Sequence, residues 1–101
     1  MVKKGKFYIL GIHDGHNASV CLMEDERAVF AIQEERLNNI KNFWGFPENG
    51  IKAALDFAKI SAADVDIVAM ASLHSPKPPE GKGILEQYKD EYGLQGKFLF
   101  L

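Results

Sequence analysis

Three short apolar runs precede the first helical pattern in this chain, and this order constrains its fold more than any other feature. The first run, residues 7–12, is almost continuously apolar and rich in aromatic and β-branched side chains. It predicts a strand buried on both faces. Residues 18–23 alternate apolar side chains on one face, and residues 28–33 form a third run. Because only short polar segments separate the runs, they predict an antiparallel meander.

A helix is predicted after an irregular segment. Residues 37–46 have no clean period and predict a loop. Three aromatic residues are expected to pack this loop onto the domain: Phe43, Trp44 and Phe46. Pro47 and Glu48 suit a first helical turn, because proline fixes φ and a carboxylate favours the positive end of the helix dipole. One apolar stripe at helical spacing is expected to face the sheet: Ile51, Ala54, Leu55 and Ala58.

The remainder of the chain alternates strand and helix patterns. Residues 66–71 predict a fourth strand, parallel to its neighbour because a helix connects them. The proline-rich residues 72–83 predict a mobile loop. Residues 84–92 predict a helix that ends before Gly93, and the apolar residues 98–101 predict a last strand. The order β-β-β-α-β-(α)-β is the opening of an α/β, ribonuclease-H-like layer.

The apolar carboxyl end of the chain raises the question of completeness. Chain termini are usually frayed and polar unless a sheet holds them. We interpret the end as a severed strand, so that residues 1–101 would form part of a longer N-terminal domain. Such a fragment would expose apolar surface and could self-associate. An edge strand of a complete domain is the alternative.

Composition narrows the class of protein. Twelve basic against fourteen acidic residues give a formal charge of −2, without the basic surplus of a nucleic-acid binder. No apolar run reaches the ~18 residues of a membrane helix, and no signal peptide is visible. The single cysteine, Cys21, excludes an internal disulfide and is expected to be a small buried residue. We therefore expect a cytoplasmic protein.

Polar residues crowd the turn between the first two predicted strands. His13, Asp14, His16 and Asn17 lie within five positions. Imidazole exchanges protons near neutral pH, and the backbone N–H groups of a glycine-containing turn can face phosphate oxygens. Two histidines are too few for a zinc site. The alternative is a polar turn whose histidines lie in water.

A second polar group closes the third predicted strand. Glu34, Glu35 and Arg36 could orient a phosphate, because arginine binds oxyanions through two N–H groups. Spacing alone favours a solvated strand end with a weak local ion pair. Lys41, in the following loop, is on the same grounds an ordinary exposed lysine.

Together these segments resemble the amino-terminal segment of the O-carbamoyltransferases, the family of the nodulation-factor and antibiotic carbamoyltransferases. The resemblance covers about residues 7–72 in unbroken order, and residues 73–101 add little to it. Each motif is weak alone, but their order and spacing are specific. The matching motifs are Ile9-Leu10-Gly11-Ile12, His16-Asn17-Ala18-Ser19-Val20-Cys21-Leu22, Gln33-Glu34-Glu35-Arg36, Lys41 and Phe46-Pro47-Glu48-Asn49.

The resemblance implies an enzyme of several hundred residues whose larger N-terminal domain has the fold of actin, sugar kinases and heat-shock chaperones. Such enzymes combine carbamoyl phosphate with ATP to give carbamoyl adenylate, and then pass the carbamoyl group to an acceptor hydroxyl. ATP and a divalent metal would bind the full-length enzyme, and the family's His-rich metal motif is not found in this chain. The isolated 101 residues are expected to be inactive and to hold no cofactor. The expected partners are small-molecule substrates, without nucleic acid or membrane.

The resemblance also assigns candidate site residues. His16 matches the family's first-turn histidine and is the candidate catalytic residue for the acceptor hydroxyl proton. The candidate substrate-binding residues are Asn17, Ser19, Glu35, Arg36 and Lys41. Many members have Asp in place of Asn17 and His in place of Asn42. The missing negative charge beside His16 would weaken it as a base.

Two other functions stay open. A nucleotide-binding, kinase-like member of the same superfamily usually carries an acidic residue directly after the Gly-Ile of its first strand, where this chain has His13. A stand-alone binding module without catalysis is the other alternative.

Overall fold

The computed structural model describes residues 5–71 and 83–100. Within these residues, five strands form the main sheet: β1 (Tyr8–His13), β3 (Ser19–Glu24), β4 (Arg27–Gln33), β6 (Ile67–Met70) and β7 (Lys97–Phe100). Two short strands pair separately: β2 (Gly15–His16) and β5 (Trp44–Gly45). The helices are α1 (Glu35–Asn38), α2 (Glu48–Ala58) and α3 (Ile84–Tyr92), with a 3-10 turn at Ala62–Asp64. The predicted loop over residues 72–83 lies outside the described residues except for Gly83.

The main sheet has the order β4-β3-β1-β6-β7. Strand β3 is antiparallel to both β1 and β4, whereas β6 is parallel to β1 and to β7. The predicted meander and the parallel fourth strand are therefore confirmed. This order, with a helix between β4 and β6, is the α/β, ribonuclease-H-like layer that the sequence predicts.

Both longer helices pack on one face of the sheet. Leu10, Val20 and Val68 of that face are buried in one cluster with residues of α2 and α3. The predicted stripe of α2 is confirmed, because Ile51 and Ala54 are buried and its other two residues pack against the cluster. Burying these side chains supplies most of the driving force that holds the helices to the sheet.

The opposite face, which we call the open face, corrects two predictions. Strand β1 is not buried on both faces, since Ile9, Gly11 and His13 stay partly exposed. Cys21 is also only half-buried. The reason is that α2 and α3 contribute to the same cluster, so neither of them covers the open face.

The segment after β4 is more ordered than the loop predicted for residues 37–46. Helix α1 ends at Asn39 in the left-handed conformation, and β5 then pairs with β2. Phe46 packs against the core as expected, but Trp44 stays 44 % exposed. Periodicity cannot detect a single helical turn or a two-residue strand, because neither spans a full period.

No helix within the described residues is long and apolar enough to cross a membrane.

Candidate functional site

The candidate site lies where the carboxyl ends of β1, β4 and β6 meet. These three strands run in the same direction, because β3 is antiparallel to both β1 and β4, and β6 is parallel to β1. A cavity of about 680 Å³ lies on the open face at this edge. Its floor consists of small side chains from four strands: Gly11, Cys21, Ala31 and Ala69. Ligands of open α/β sheets bind in such crevices outside the carboxyl ends of the strands.

Polar groups form one rim of this cavity. His13 at the end of β1 lies opposite Ser19 at the start of β3, and Ser19 lies opposite Gln33 at the end of β4, so these three neighbouring strands carry polar residues at the same level. Arg36 of α1 also lines the cavity and is exposed. It makes no ion pair with any described residue. The rim therefore offers a guanidinium and several hydrogen-bonding groups to an anion.

His13 is not a turn histidine in water. Its Nδ1 lies 2.5 Å from the carbonyl oxygen of Ala71, and its Nε2 lies 2.8 Å from the carbonyl oxygen of His16. A neutral imidazole donates one hydrogen bond, whereas the doubly protonated ring donates both. The side chain of His13 thus connects β2 to the residue that follows β6. Its partner there, Ala71, is 58 residues away in the sequence.

His16 lies beside the cavity rather than in its lining. It is exposed on β2 and pairs with Trp44 of β5. The two rings meet edge to face, with centroids 6.1 Å apart and an interplanar angle of 67°. The ring nitrogens of His16 form no hydrogen bond with any described residue. They are therefore available to a hydroxyl group in solution.

The structure brings some of the predicted site residues together and leaves others apart. Ser19 and Arg36 line the cavity, whereas Asn17 is exposed in the turn after His16 and Lys41 is exposed in the loop after α1. Glu35 has a structural contact, since its Oε1 accepts the backbone N–H of Asn42 at 3.0 Å. This contact orders the loop that carries Lys41.

The two departures from the family pattern share one backbone feature. Asn17 has φ 56° and Asn42 has φ 55°, both in the left-handed region. Asn, Asp and His are the residue types enriched there among those with side chains. The Asp and His that the resemblance implies at these positions in many members suit the same backbone conformation.

Two buried carboxylates were missed or misread in the sequence. Glu34, predicted as a solvated strand end, is 1 % exposed and accepts the backbone N–H of Gly50 at 2.7 Å. That prediction was wrong because α2 packs over the end of β4. Asp14 is fully buried, and its Oδ2 accepts the hydroxyl of Tyr88 at 2.8 Å. Pro47 offered a signal for Glu34, since a helix that starts without a capping side chain needs an acceptor from elsewhere.

Within residues 5–71 and 83–100, no three His, Cys, Asp or Glu residues are placed to hold a metal ion.

Comparison with known proteins identifies the family. Residues 8–88 match the family model described as "Carbamoyltransferase N-terminus". The chain belongs to this carbamoyltransferase family. The sequence-based assignment is confirmed.

Two curated relatives match with low identity. The uncharacterized protein MJ1051 of Methanocaldococcus jannaschii is 33 % identical over 92 residues, which cover 91 % of this chain and 17 % of the relative. The nodulation protein NolNO of Sinorhizobium fredii is 33 % identical over 54 residues, or 54 % of this chain and 8 % of the relative. The chain therefore spans a small part of the length of these relatives.

Solved structures support the fold. YeaZ from Pseudomonas aeruginosa is similar with a TM-score of 0.52 and 15 % identity, over 93 % of this chain and 43 % of that chain. A second solved structure, described as an uncharacterized protein with similarity to peptidase YEAZ from Pseudomonas aeruginosa, has the same TM-score and coverage at 17 % identity. At this identity the likeness concerns the fold alone, and it agrees with the ribonuclease-H-like layer.

Proposed function

We propose that the full-length protein is an ATP-dependent O-carbamoyltransferase of the cytoplasm, and that this chain forms part of its N-terminal domain. The carbamoyl group of carbamoyl phosphate would pass through carbamoyl adenylate to an acceptor hydroxyl. Family membership supports the transferase chemistry. ATP and a divalent metal would bind mainly through residues of the longer enzyme, so no step below is assigned to the metal.

The observation that carries this proposal is the free guanidinium of Arg36 at the rim of a cavity with a small-residue floor. A carbamoyl compound that carries a phosphate is a small planar group joined to an oxyanion. Arg36 would bind the oxyanion through paired N–H groups, and Ser19 would donate a further hydrogen bond. The remaining proposed substrate contacts are Asn17 and Lys41, which are both exposed. Glu35 supports the loop that carries Lys41.

His16 is the proposed general base for the transfer step. Its ring nitrogens are available, and it lies on β2, which pairs with β5. The acceptor oxygen would attack the carbamoyl carbon while His16 takes the hydroxyl proton. The bond from that carbon to the phosphate oxygen of the adenylate would break, and AMP would leave. A base within hydrogen-bonding reach of the hydroxyl is the requirement for this role.

The test uses the two half-reactions of the full-length enzyme. His16→Ala should slow carbamoyl transfer by about 10²-fold, the scale of general base catalysis, and should change ATP–pyrophosphate exchange far less. His13→Ala should be milder in both assays. Arg36→Ala should raise the KM for carbamoyl phosphate. Equal losses in both half-reactions for His16→Ala would make it a substrate ligand instead of a base.

The kinase-like and binding-module alternatives are tested with the 101 residues themselves. One wall of a cleft supplies few contacts, so we expect neither turnover of carbamoyl phosphate nor tight binding of ATP. Calorimetric titration with ATP and magnesium measures this directly. Micromolar affinity would contradict our proposal and favour a stand-alone module.

A further inference from the structure

One residue of α3 contacts both strands of the β2–β5 ribbon, which carries His16, at the base of the ribbon. Asp14 directly precedes β2, and Phe46 directly follows β5. Tyr88 contacts both of them. Its hydroxyl donates to Asp14 Oδ2 at 2.8 Å, and its ring meets Phe46 edge to face, with centroids 5.6 Å apart and an interplanar angle of 79°.

The ribbon needs such an anchor because its own pairing is small. It consists of two residue pairs, Gly15 with Gly45 and His16 with Trp44. Glycine loses more backbone freedom on ordering than any other residue, so a ribbon with a glycine in each strand is costly to hold in one conformation. Contacts at the base of both strands reduce this freedom.

Tyr88 is well suited to hold the ribbon. Tyr88 and Asp14 are both fully buried, and the tyrosine ring also packs against Tyr92 and Phe98. Burial, reinforced by the nearby Asp14 carboxylate, raises the pKa of Tyr88 well above its usual range. The hydroxyl is therefore protonated near neutral pH and can donate its hydrogen bond to Asp14.

We propose that Tyr88 is a positioning residue for His16, fixing the β2–β5 ribbon through Asp14 on one strand and Phe46 on the other. The effect of Tyr88 on catalysis rests on the role proposed above for His16. The anchoring of the ribbon does not depend on that role, since the position of the ribbon can be measured in the chain alone.

Trp44 provides that measurement. It is the only tryptophan of the chain, and its ring lies 6.1 Å from that of His16. An imidazole in contact with an indole ring quenches the fluorescence of the indole, so the emission of Trp44 should rise when His16 is replaced in His16→Gln. The size of this His16-dependent fluorescence change reports how closely the two rings are held together.

Tyr88→Phe is the decisive variant, because it removes the hydroxyl and keeps the ring. We expect it to lose more than half of the His16-dependent fluorescence change. Tyr8→Phe is the matched control and should keep the full change. Tyr8 is also buried and its hydroxyl also donates to a carboxylate, Glu24 Oε2 at 3.4 Å, but at the far end of β1. An unchanged signal in Tyr88→Phe would overturn the proposal.

Asp14→Asn tests the same hydrogen bond at its acceptor. It is the variant to use if Tyr88→Phe shows no cooperative thermal transition and is therefore not folded. It keeps the shape of the side chain and removes its charge, which weakens the hydrogen bond from Tyr88. We expect a partial loss of the His16-dependent signal. A full signal in the folded variant would contradict the anchoring role.

In the full-length enzyme, Tyr88→Phe should lower kcat of carbamoyl transfer by about tenfold to 10²-fold, the effect of a small misplacement of a catalytic group. The KM values and ATP–pyrophosphate exchange should stay unchanged, which a general loss of stability would not produce. A lost fluorescence signal with unchanged kcat would refute the proposed role of His16 and leave the anchoring intact. An unchanged fluorescence signal would refute the anchoring itself.

Discussion

The carboxylate of Glu34 accepts the backbone N–H of Gly50 at 2.7 Å, which joins the end of β4 to the first turn of α2. Its other oxygen accepts the side-chain amide of Asn49 at 2.8 Å and the backbone N–H of Asn49 at 3.3 Å. Pro47, at the N-cap of α2, forms no capping hydrogen bond with its side chain. Glu34 therefore supplies the acceptors that the helix start lacks.

Replacing Glu34 should destabilise the fold. Glu34→Ala leaves the buried N–H of Gly50 and the N–H groups of Asn49 without this acceptor, so we expect the free energy of unfolding to fall by about 2–3 kcal/mol. Urea denaturation followed by circular dichroism measures the change. Glu26→Ala, at an exposed position of the β3–β4 turn, should stay within about 0.5 kcal/mol of the wild type. A similarly small effect at Glu34 would contradict the capping role.

The sequence was sufficient where the information is local. The strands of the main sheet and α2 follow from periods of two and 3.6 residues, which a short window contains in full. The burial of Glu34 could not be predicted, because its partner Gly50 is 16 residues away and reaches it only through packing of α2. The contact between Asp14 and Tyr88 spans 74 residues and depends on the same tertiary arrangement.

The candidate site was predictable in part for a related reason. The resemblance selected Ser19 and Arg36, and the topology brings both to one cavity because the carboxyl ends of like-directed strands share an edge. The pairing of His16 with Trp44 was not predictable, since a two-residue strand leaves no pattern in the sequence. The two hydrogen bonds of His13 were missed for a different reason: both acceptors are backbone carbonyls, which residues of any type carry.

The end of α2 offers a prediction with opposite signs at two lysines. Lys59 is the C-cap residue and has φ 58°, a left-handed conformation that strains a residue with a Cβ. Lys59→Gly should therefore raise the free energy of unfolding by about 0.5–1 kcal/mol. Lys52→Gly, at an exposed position inside the same helix, should lower it by about 1 kcal/mol. Thermal melting of both variants decides the matter, and a loss of stability in Lys59→Gly would contradict this account.

A surface ion pair should make part of the stability depend on pH. Lys6 Nζ donates to Glu24 Oε1 at 2.9 Å, and this ammonium lowers the pKa of Glu24 below the ordinary value of 4.5. A carboxyl whose pKa is lowered by folding adds stability above its unfolded pKa and loses that stability as the pH falls through its folded pKa. The difference in Tm between the wild type and Lys6→Gln should therefore be largest near neutral pH and shrink as the pH falls below 4.5.

The control for this pair is Lys52→Gln, because Lys52 is exposed and forms no ion pair within the described part of the chain. Its Tm difference from the wild type should stay constant with pH. Added salt should reduce the effect at Lys6, since exposed charges are screened. A difference at Lys6 that is independent of both pH and salt would show that the contact acts through packing alone.

The open face of the sheet should make the 101-residue chain self-associate. Ala31 is exposed on this face opposite the half-buried Cys21, and Leu99, which pairs with Ala69, is 39 % exposed. Contiguous apolar surface of this kind favours contact between copies.

Sedimentation over a concentration series should show a rising average mass for the wild type. Ala31→Glu should suppress the rise, because burying the new carboxylate in a contact is unfavourable. Ala63→Glu, the same change at an exposed alanine of the 3-10 turn, should leave it unaltered. A chain that melts cooperatively and stays monomeric at every concentration would show that the open face does not drive association.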